Sequence, residues 1–298
     1  MEKNKSVALV LSSGGARGLA HIGVIEGLEA AGYKISAVSG TSMGAVVGGV
    51  YAAGNLKEYK EWMLKLDKLE VFRLIDFTFS TKGFIRGDKV FKEMRKFVHD
   101  KKIEDLNIPF AAVACDLMKR EEVVFKSGSL YTALRASAAI PTVIQPSVLN
   151  KKQLVDGGVM NPIPVDHVQK KEDDLVVISD VNAAIPYKKS KEFREPEKPS
   201  QPGIFDQFLA KWDELAPNWN FNSKPKTEIE KLSYFELFNK SINLMQDQIS
   251  TYTIQQHKPD ILVSVSRDAC STFEFYRTEE LIAAGRRAFE KAIEKVEA

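Results

Sequence analysis

Gly40-Thr41-Ser42-Met43-Gly44 sets one serine between two glycines in the spacing G-x-S-x-G, the pattern of a nucleophile elbow. A short apolar run, Ile35 to Val38, precedes it, and a small-residue helical stretch follows, ending near Gly54-Asn55. In that strand–turn–helix setting the serine is held in strained backbone, and the residues two before and two after it must be tiny. Its hydroxyl stands above a sheet edge, near a helix N-terminus that favours developing negative charge. The chemistry on offer is attack on an acyl ester. The pentapeptide alone is equally a glycine-rich turn with an incidental serine.

Two more glycine-rich segments bear on the choice. Ser13-Gly14-Gly15-Ala16-Arg17-Gly18 also lies between a strand-like run and a helical one. Successive glycines there let backbone N–H groups converge on an anion, as a phosphate cradle or as an oxyanion hole. Ser13 stands where G-x-G-x-x-G needs glycine, Ala37-Val38-Ser39 offer no acid for a ribose, and no G-K-[ST] follows, so the nucleotide reading is weak. Asp156-Gly157-Gly158 closes a small hairpin made of Ser147–Leu149 and Gln153–Val155. An aspartate before two glycines can approach another loop without crowding, although Asp-Gly-Gly is also a common turn.

These loops need a scaffold. Apolar, β-rich runs recur at Val7–Leu11, Ile35–Val38, Phe110–Cys115, Leu175–Ser179 and Ile261–Val265, with helical patterns between them. Continuous hydrophobicity marks strands covered on both faces, and the alternation predicts an α/β layered fold around a largely parallel sheet. Helices are expected from Gly18 to Ala31, along Leu56, Tyr59, Met63 and Leu66, and from the N-cap Thr278 towards Val296. The longest stripe is Tyr234, Phe238, Ile242, Met245, Ile249 and Tyr252.

A Ser–His–Asp hydrolase needs a placed histidine. His21 sits on the first helix, His99 in a charged stretch, His167 in a polar region, and His257 just before a strand, at the wrong end of the sheet. None fits the role of base, and each reads as a surface or packing residue.

With the glycine-rich loop, the elbow and Asp156-Gly157-Gly158 in this order, the chain resembles the patatin-like phospholipase family. Arg135-Ala136-Ser137-Ala138-Ala139-Ile140-Pro141 adds a segment that the family carries before its aspartate, and the likeness spans about residues 7–181. The resemblance implies a patatin-type layered fold, a central, mostly parallel β-sheet flanked by helices. It also implies hydrolysis of lipid acyl esters, of phospholipase A, lysophospholipase or esterase type, by a Ser–Asp dyad with an acyl-enzyme intermediate. Ser42 becomes the nucleophile and Asp156 the base. Gly14, Gly15, Ala16 and Arg17 become the oxyanion hole, with Gly18, Gly40, Gly44, Gly157 and Gly158 supporting the motifs. The first loop of the family opens with three glycines, and Ser13 here replaces the first. Arg17 is equally read as a salt bridge bracing the loop. A lipid- or acyl-binding regulator on the same fold is the alternative.

The chemistry so assigned calls for no metal and no cofactor. Phe77, Phe79 and Phe84 lie in a hydrophobic stretch, Phe72 to Ile85, that would wall an acyl groove beside the elbow or serve as plain core. Lys82 and Arg86 are placed for an anionic head group. Residues 184–232, opening on a Pro- and Lys-rich run, read as an insertion whose aromatic part is a lid, a lipid-facing element or a helix packed on the body. The expected organisation is one hydrolase domain over 1–298, with a C-terminal strand and helices from 233.

A net charge of +2 over 298 residues lacks the concentrated basic face that nucleic acid requires. Cys115 and Cys270 are too few for a disulfide framework. No segment reaches the ~18 apolar residues of a membrane span. The expectation is a cytoplasmic protein that takes a lipid or acyl-ester substrate and meets membrane surfaces transiently.

Overall fold

In the computed structural model, residues 6–74, 88–141, 143–189, 193 and 234–297 are described. Most of the proposed insertion and all of Phe77, Phe79, Phe84, Lys82 and Arg86 lie outside these residues.

β1 (Ser6–Leu11) is apolar and almost wholly buried. It is followed by a short 3₁₀ turn and α1 (Ala20–Ala30), then β2 (Lys34–Thr41) and α2 (Met43–Ala52). α3 (Leu56–Leu64), α4 (Lys68–Leu74) and α5 (Asp88–Met94) lead to β3 (Phe110–Asp116), β4 (Glu121–Phe125) and α6 (Leu130–Ser137). The hairpin of β5 (Ser147–Leu149) and β6 (Lys152–Asp156) precedes β7 (Leu175–Ala183), α7 (Tyr234–His257), β8 (Ile261–Ser266) and α8 (Thr278–Glu297). The apolar runs of the sequence are thus strands, and β4 is the strand their pattern did not announce.

The sheet order is β5-β6-β3-β2-β1-β7-β8, with β4 paired to β3 off that path. β1 is parallel to β2 and to β7, β2 to β3, and β7 to β8, while β4, β5 and β6 pair antiparallel. The sheet is therefore central and mostly parallel, flanked by helices. Alternate residues of β1 feed two layers. Val7, Leu9 and Leu11 join the large core with α1, α2 and α8, and Val10 packs with Ile163, Val165 and Ile178 on the other face, near Ile254 of α7. From β1 the chain builds outward to β2 and β3 on one side and to β7 and β8 on the other. Loops leaving the carboxyl ends beside such a reversal form the crevice where α/β sheets bind ligands.

The register of β3 decides what meets there. Its residues Phe110–Val113 pair with β2, Ala112–Asp116 with β4, and Ala114–Asp116 with β6. A strand has two edges, and β4 overlaps both other partners, so β2 and β6 share the opposite edge. They run towards each other and end together, Thr41 opposite Val113 and Asp156 opposite Ala114.

α1 and α8 cross closely because of two glycines. A Cβ on Gly23 would stand 1.9 Å from Ile282 O, and one on Gly285 1.9 Å from Ala20 O. Gly23→Val is expected to lower stability by about 1–3 kcal/mol or more through overpacking, read as a lower denaturant midpoint. An unchanged midpoint would contradict this helix contact.

Candidate active site

Ser42 is the residue between β2 and α2, with φ 57° and ψ −125°. That left-handed value is strained for a side chain larger than hydrogen, and the neighbours hold it in place. A Cβ at Gly40 would stand 2.5 Å from the Gly44 carbonyl, and one at Gly44 2.4 Å from Leu11 O. The two glycines therefore let the elbow fold on itself and against the end of β1. The Ser42 N–H donates to Ser137 Oγ at 2.9 Å, and that hydroxyl donates to Val113 O at 2.6 Å. The elbow is thereby pinned to β3. Thr41 Oγ1 donates to Asn161 O at 2.8 Å, which ties it to the segment beyond Asp156.

Asp156 meets it from the other side. The Ser42 side chain faces its carboxylate and favours the charged form, and Gly158 N–H donates to Oδ1 at 2.8 Å. The Asp156 N–H donates to Ala139 O at 2.9 Å. Burial raises the pKa of this carboxyl, the Ser42 side chain and the Gly158 N–H lower it, and the balance stands at about 6. Burial wins because two donors replace only part of the hydration that a carboxylate loses.

The glycine-rich loop stands beside the pair. Gly15 has φ +55°, and no acceptor among the described residues takes the Gly14 or Gly15 N–H. Ala16 differs from expectation, because its N–H is spent on Thr272 O at 2.9 Å. Arg17 differs as well. Its Nε and Nη2 donate to Asn182 Oδ1 at 3.1 and 2.9 Å, and Nη1 donates to Cys270 O at 3.1 Å. Asn182 in turn donates to Ser13 O at 2.5 Å. Arg17 braces the loop, but through a neutral amide and a carbonyl rather than a salt bridge.

The histidines stay apart from this pair. His21 is fully buried between Ser179 Oγ and Ser12 O at 2.8 and 2.9 Å, and burial lowers its pKa to about 4. His167 pairs with Glu122 at 2.6 Å and His257 with Asp166 at 3.5 Å, while His99 is exposed. Among the described residues, no group of three His, Cys, Asp or Glu side chains is placed to hold a metal ion.

Ser42 opens on a cavity of about 130 Å³ with an almost wholly hydrocarbon lining. Its walls come from α3, α5 and the chain after α6, through Trp62, Met63, Phe91, Met94 and Ile140. Of the hydrophobic stretch beginning at Phe72, Leu74 lines it. The helix stripe of Tyr59, Met63 and Leu66 thus also walls the cavity.

Sequence reasoning missed Ser137 and Gln246. Gln246 Nε2 of α7 donates to Gly158 O at 2.9 Å, and Asp247 pairs with Arg267 after β8. α7 is correspondingly rotated from the predicted apolar stripe, with Met245 54% and Tyr252 67% exposed. Gln246 and Asp247 are half-buried, so the face that carries these two polar contacts turns inward.

A family model for patatin-like phospholipase matches residues 9–168. An uncharacterized NTE family protein of Mycobacterium tuberculosis is 34% identical over 98% of this chain and 92% of its own length. The chain belongs to the patatin-like phospholipase family. Patatin-like phospholipase domain-containing protein 6 of Mus musculus is 33% identical over 60% of this chain and 14% of its own. Among solved structures, VipD from Legionella pneumophila aligns over 99% of this chain and 67% of its own, at 14% identity and a TM-score of 0.49. In this patatin-like chain, the family model ends before Asn182, Gln246 and Cys270, which hold the loop and the aspartate turn from outside it.

The raised Asp156 pKa has a consequence for stability. Its proton is held up to about pH 6 in the folded chain, against an ordinary value of 3.8. The stabilisation from binding that proton is full below about pH 4 and is lost as pH rises through about 6. Asp156→Asn is therefore expected to gain stability relative to wild type over that window, by up to about 3 kcal/mol. Parallel stability–pH curves for the two proteins would contradict it.

Proposed function

We propose that this protein is a serine acyl-ester hydrolase acting on lipids, working through Ser42 and Asp156. The family implies lipid hydrolysis. The observation that carries the finer reading is a strained, buried Ser42 just past the end of β2, set against an Asp156 of raised pKa at the end of β6, beside an apolar cavity.

Ser42 Oγ attacks the ester carbonyl as Asp156 takes its proton. The carbonyl oxygen becomes an oxyanion, held by the N–H groups of Gly14 and Gly15 and by that of Met43 at the start of α2. The residue after the nucleophile supplies such a donor in elbow hydrolases, and one donor is worth ~3–4 kcal/mol in the transition state. The intermediate collapses, the carbon–oxygen bond to the leaving alcohol breaks, and Asp156 returns the proton to that alcohol. A water then gives its proton to Asp156 and attacks the acyl-serine. Collapse frees the acid and restores the serine hydroxyl. The cavity accepts the acyl chain, whose burial supports binding at ~25 cal/mol per Å².

Ser42→Ala and Asp156→Ala are each expected to lower kcat for p-nitrophenyl ester hydrolysis by about 10³-fold or more, with unfolding still cooperative. Wild-type kcat/KM should rise with pH through an inflection near about 6, since the base acts only when deprotonated. Substantial turnover in both variants refutes the dyad, and an inflection near 7 lost with a histidine substitution assigns the base elsewhere. Lipid binding by a wild-type chain that turns over no ester favours the binding-protein alternative.

A further inference from the structure

Beyond the site, two hairpins project from the carboxyl edge of the sheet. Ala114 of β3 lies opposite Asp156, and the strand continues to a tip at Leu117–Arg120. That tip starts about 10 Å past the dyad, at ~3.3 Å per residue. The β5–β6 hairpin turns at Asn150 and Lys151 beside it, since Leu117 N–H donates to Gln153 O at 3.1 Å and Gln153 pairs with Val148. Three large apolar side chains stand out from these tips: Leu117 is 50%, Met118 73% and Val148 73% exposed.

Cations surround them. Lys119, Arg120 and Lys151 are exposed and Lys152 is half-buried. Glu121 lies 3.9 Å from Lys119 and 3.3 Å from Lys152, while among the described residues no carboxylate pairs with Arg120 or Lys151. Both of these have left-handed backbone, φ 58° and 65°, where glycine would be unstrained. α7 meets this end of the sheet at mid-helix, where Gln246 donates to Gly158 O and Asp247 pairs with Arg267. N-terminal to those contacts it exposes Leu237 and Leu244, 53% and 61%.

We infer that this rim is a docking surface for a bilayer containing anionic phospholipid. Adjoining apolar tips among cations suit the headgroup boundary, where side chains insert and bases meet phosphate. A protein partner fits less well. Interface cores are depleted of lysine, and Lys119, Lys151 and Lys152 stand on these same two tips. The inference rests on the proposed lipid hydrolysis, and it sets the substrate's own surface against the edge that carries Ser42.

The test is co-sedimentation of the full chain with phosphatidylcholine vesicles, with and without phosphatidylglycerol, at low and high salt. Wild type is expected to bind the phosphatidylglycerol vesicles and to be released by salt. Met118→Glu with Val148→Glu, and separately Arg120→Glu with Lys151→Glu, are expected to weaken binding about tenfold or more. Both variants should hydrolyse a water-soluble p-nitrophenyl ester at the wild-type rate. Variants that bind vesicles as tightly as wild type, a wild type that ignores them, or a dimer dissociated by Met118→Glu overturn the docking surface. Salt-sensitive, variant-sensitive vesicle binding by a chain that hydrolyses no ester upholds the surface and defeats the proposed function.

Discussion

One edge of β3 is shared by two strands that arrive from opposite directions, and the site is built on that collision. β2 covers the edge as far as Val113 and β6 takes it up from Ala114. The residues at or just beyond their ends, Ser42 and Asp156, are thereby brought together although 114 positions separate them in the chain. No long loop has to be ordered to make the pair. The same burial raises the pKa of Asp156, which its proposed role as a base requires. Geometry and basicity have one cause.

The polar groups around the pair show how such burial is tolerated. Backbone donors and hydroxyls, rather than ions, supply the partners: Gly158 N–H for Asp156, and Ser137 Oγ for the Ser42 N–H. Neutral partners keep the carboxyl pKa from falling back to its ordinary value, as a nearby guanidinium would make it do. Arg17 is the nearby candidate, and its guanidinium is spent on Asn182 and the Cys270 carbonyl. The loop is held by an arginine while the aspartate is spared one.

Much of this could be read from residue types. G-x-S-x-G and Asp-Gly-Gly name positions where only hydrogen fits, and Gly40 and Gly44 do touch backbone. The parallel strands announced themselves as continuous apolar runs because both faces are covered. What stayed hidden was pairing. β4 and β6 are five-residue antiparallel strands, β4 without a buried residue and β6 buried only from Leu154 on, and nothing in their composition states which edge of β3 each takes. The oxyanion loop was over-read for a similar reason, since the Thr272 carbonyl that takes the Ala16 N–H comes from 256 residues away. α7 misled through its stripe, because the two polar contacts that orient it lie in other segments.

The central claim is that Ser42 is a nucleophile activated by Asp156, and covalent trapping tests it most directly. The full chain would be treated with a fluorophosphonate and the adduct located by peptide mass spectrometry, for wild type and Asp156→Asn. The account predicts one adduct, on Ser42, forming in wild type and slowed at least about a hundredfold in Asp156→Asn. An adduct on another residue, or equal labelling rates in the two proteins, would contradict it.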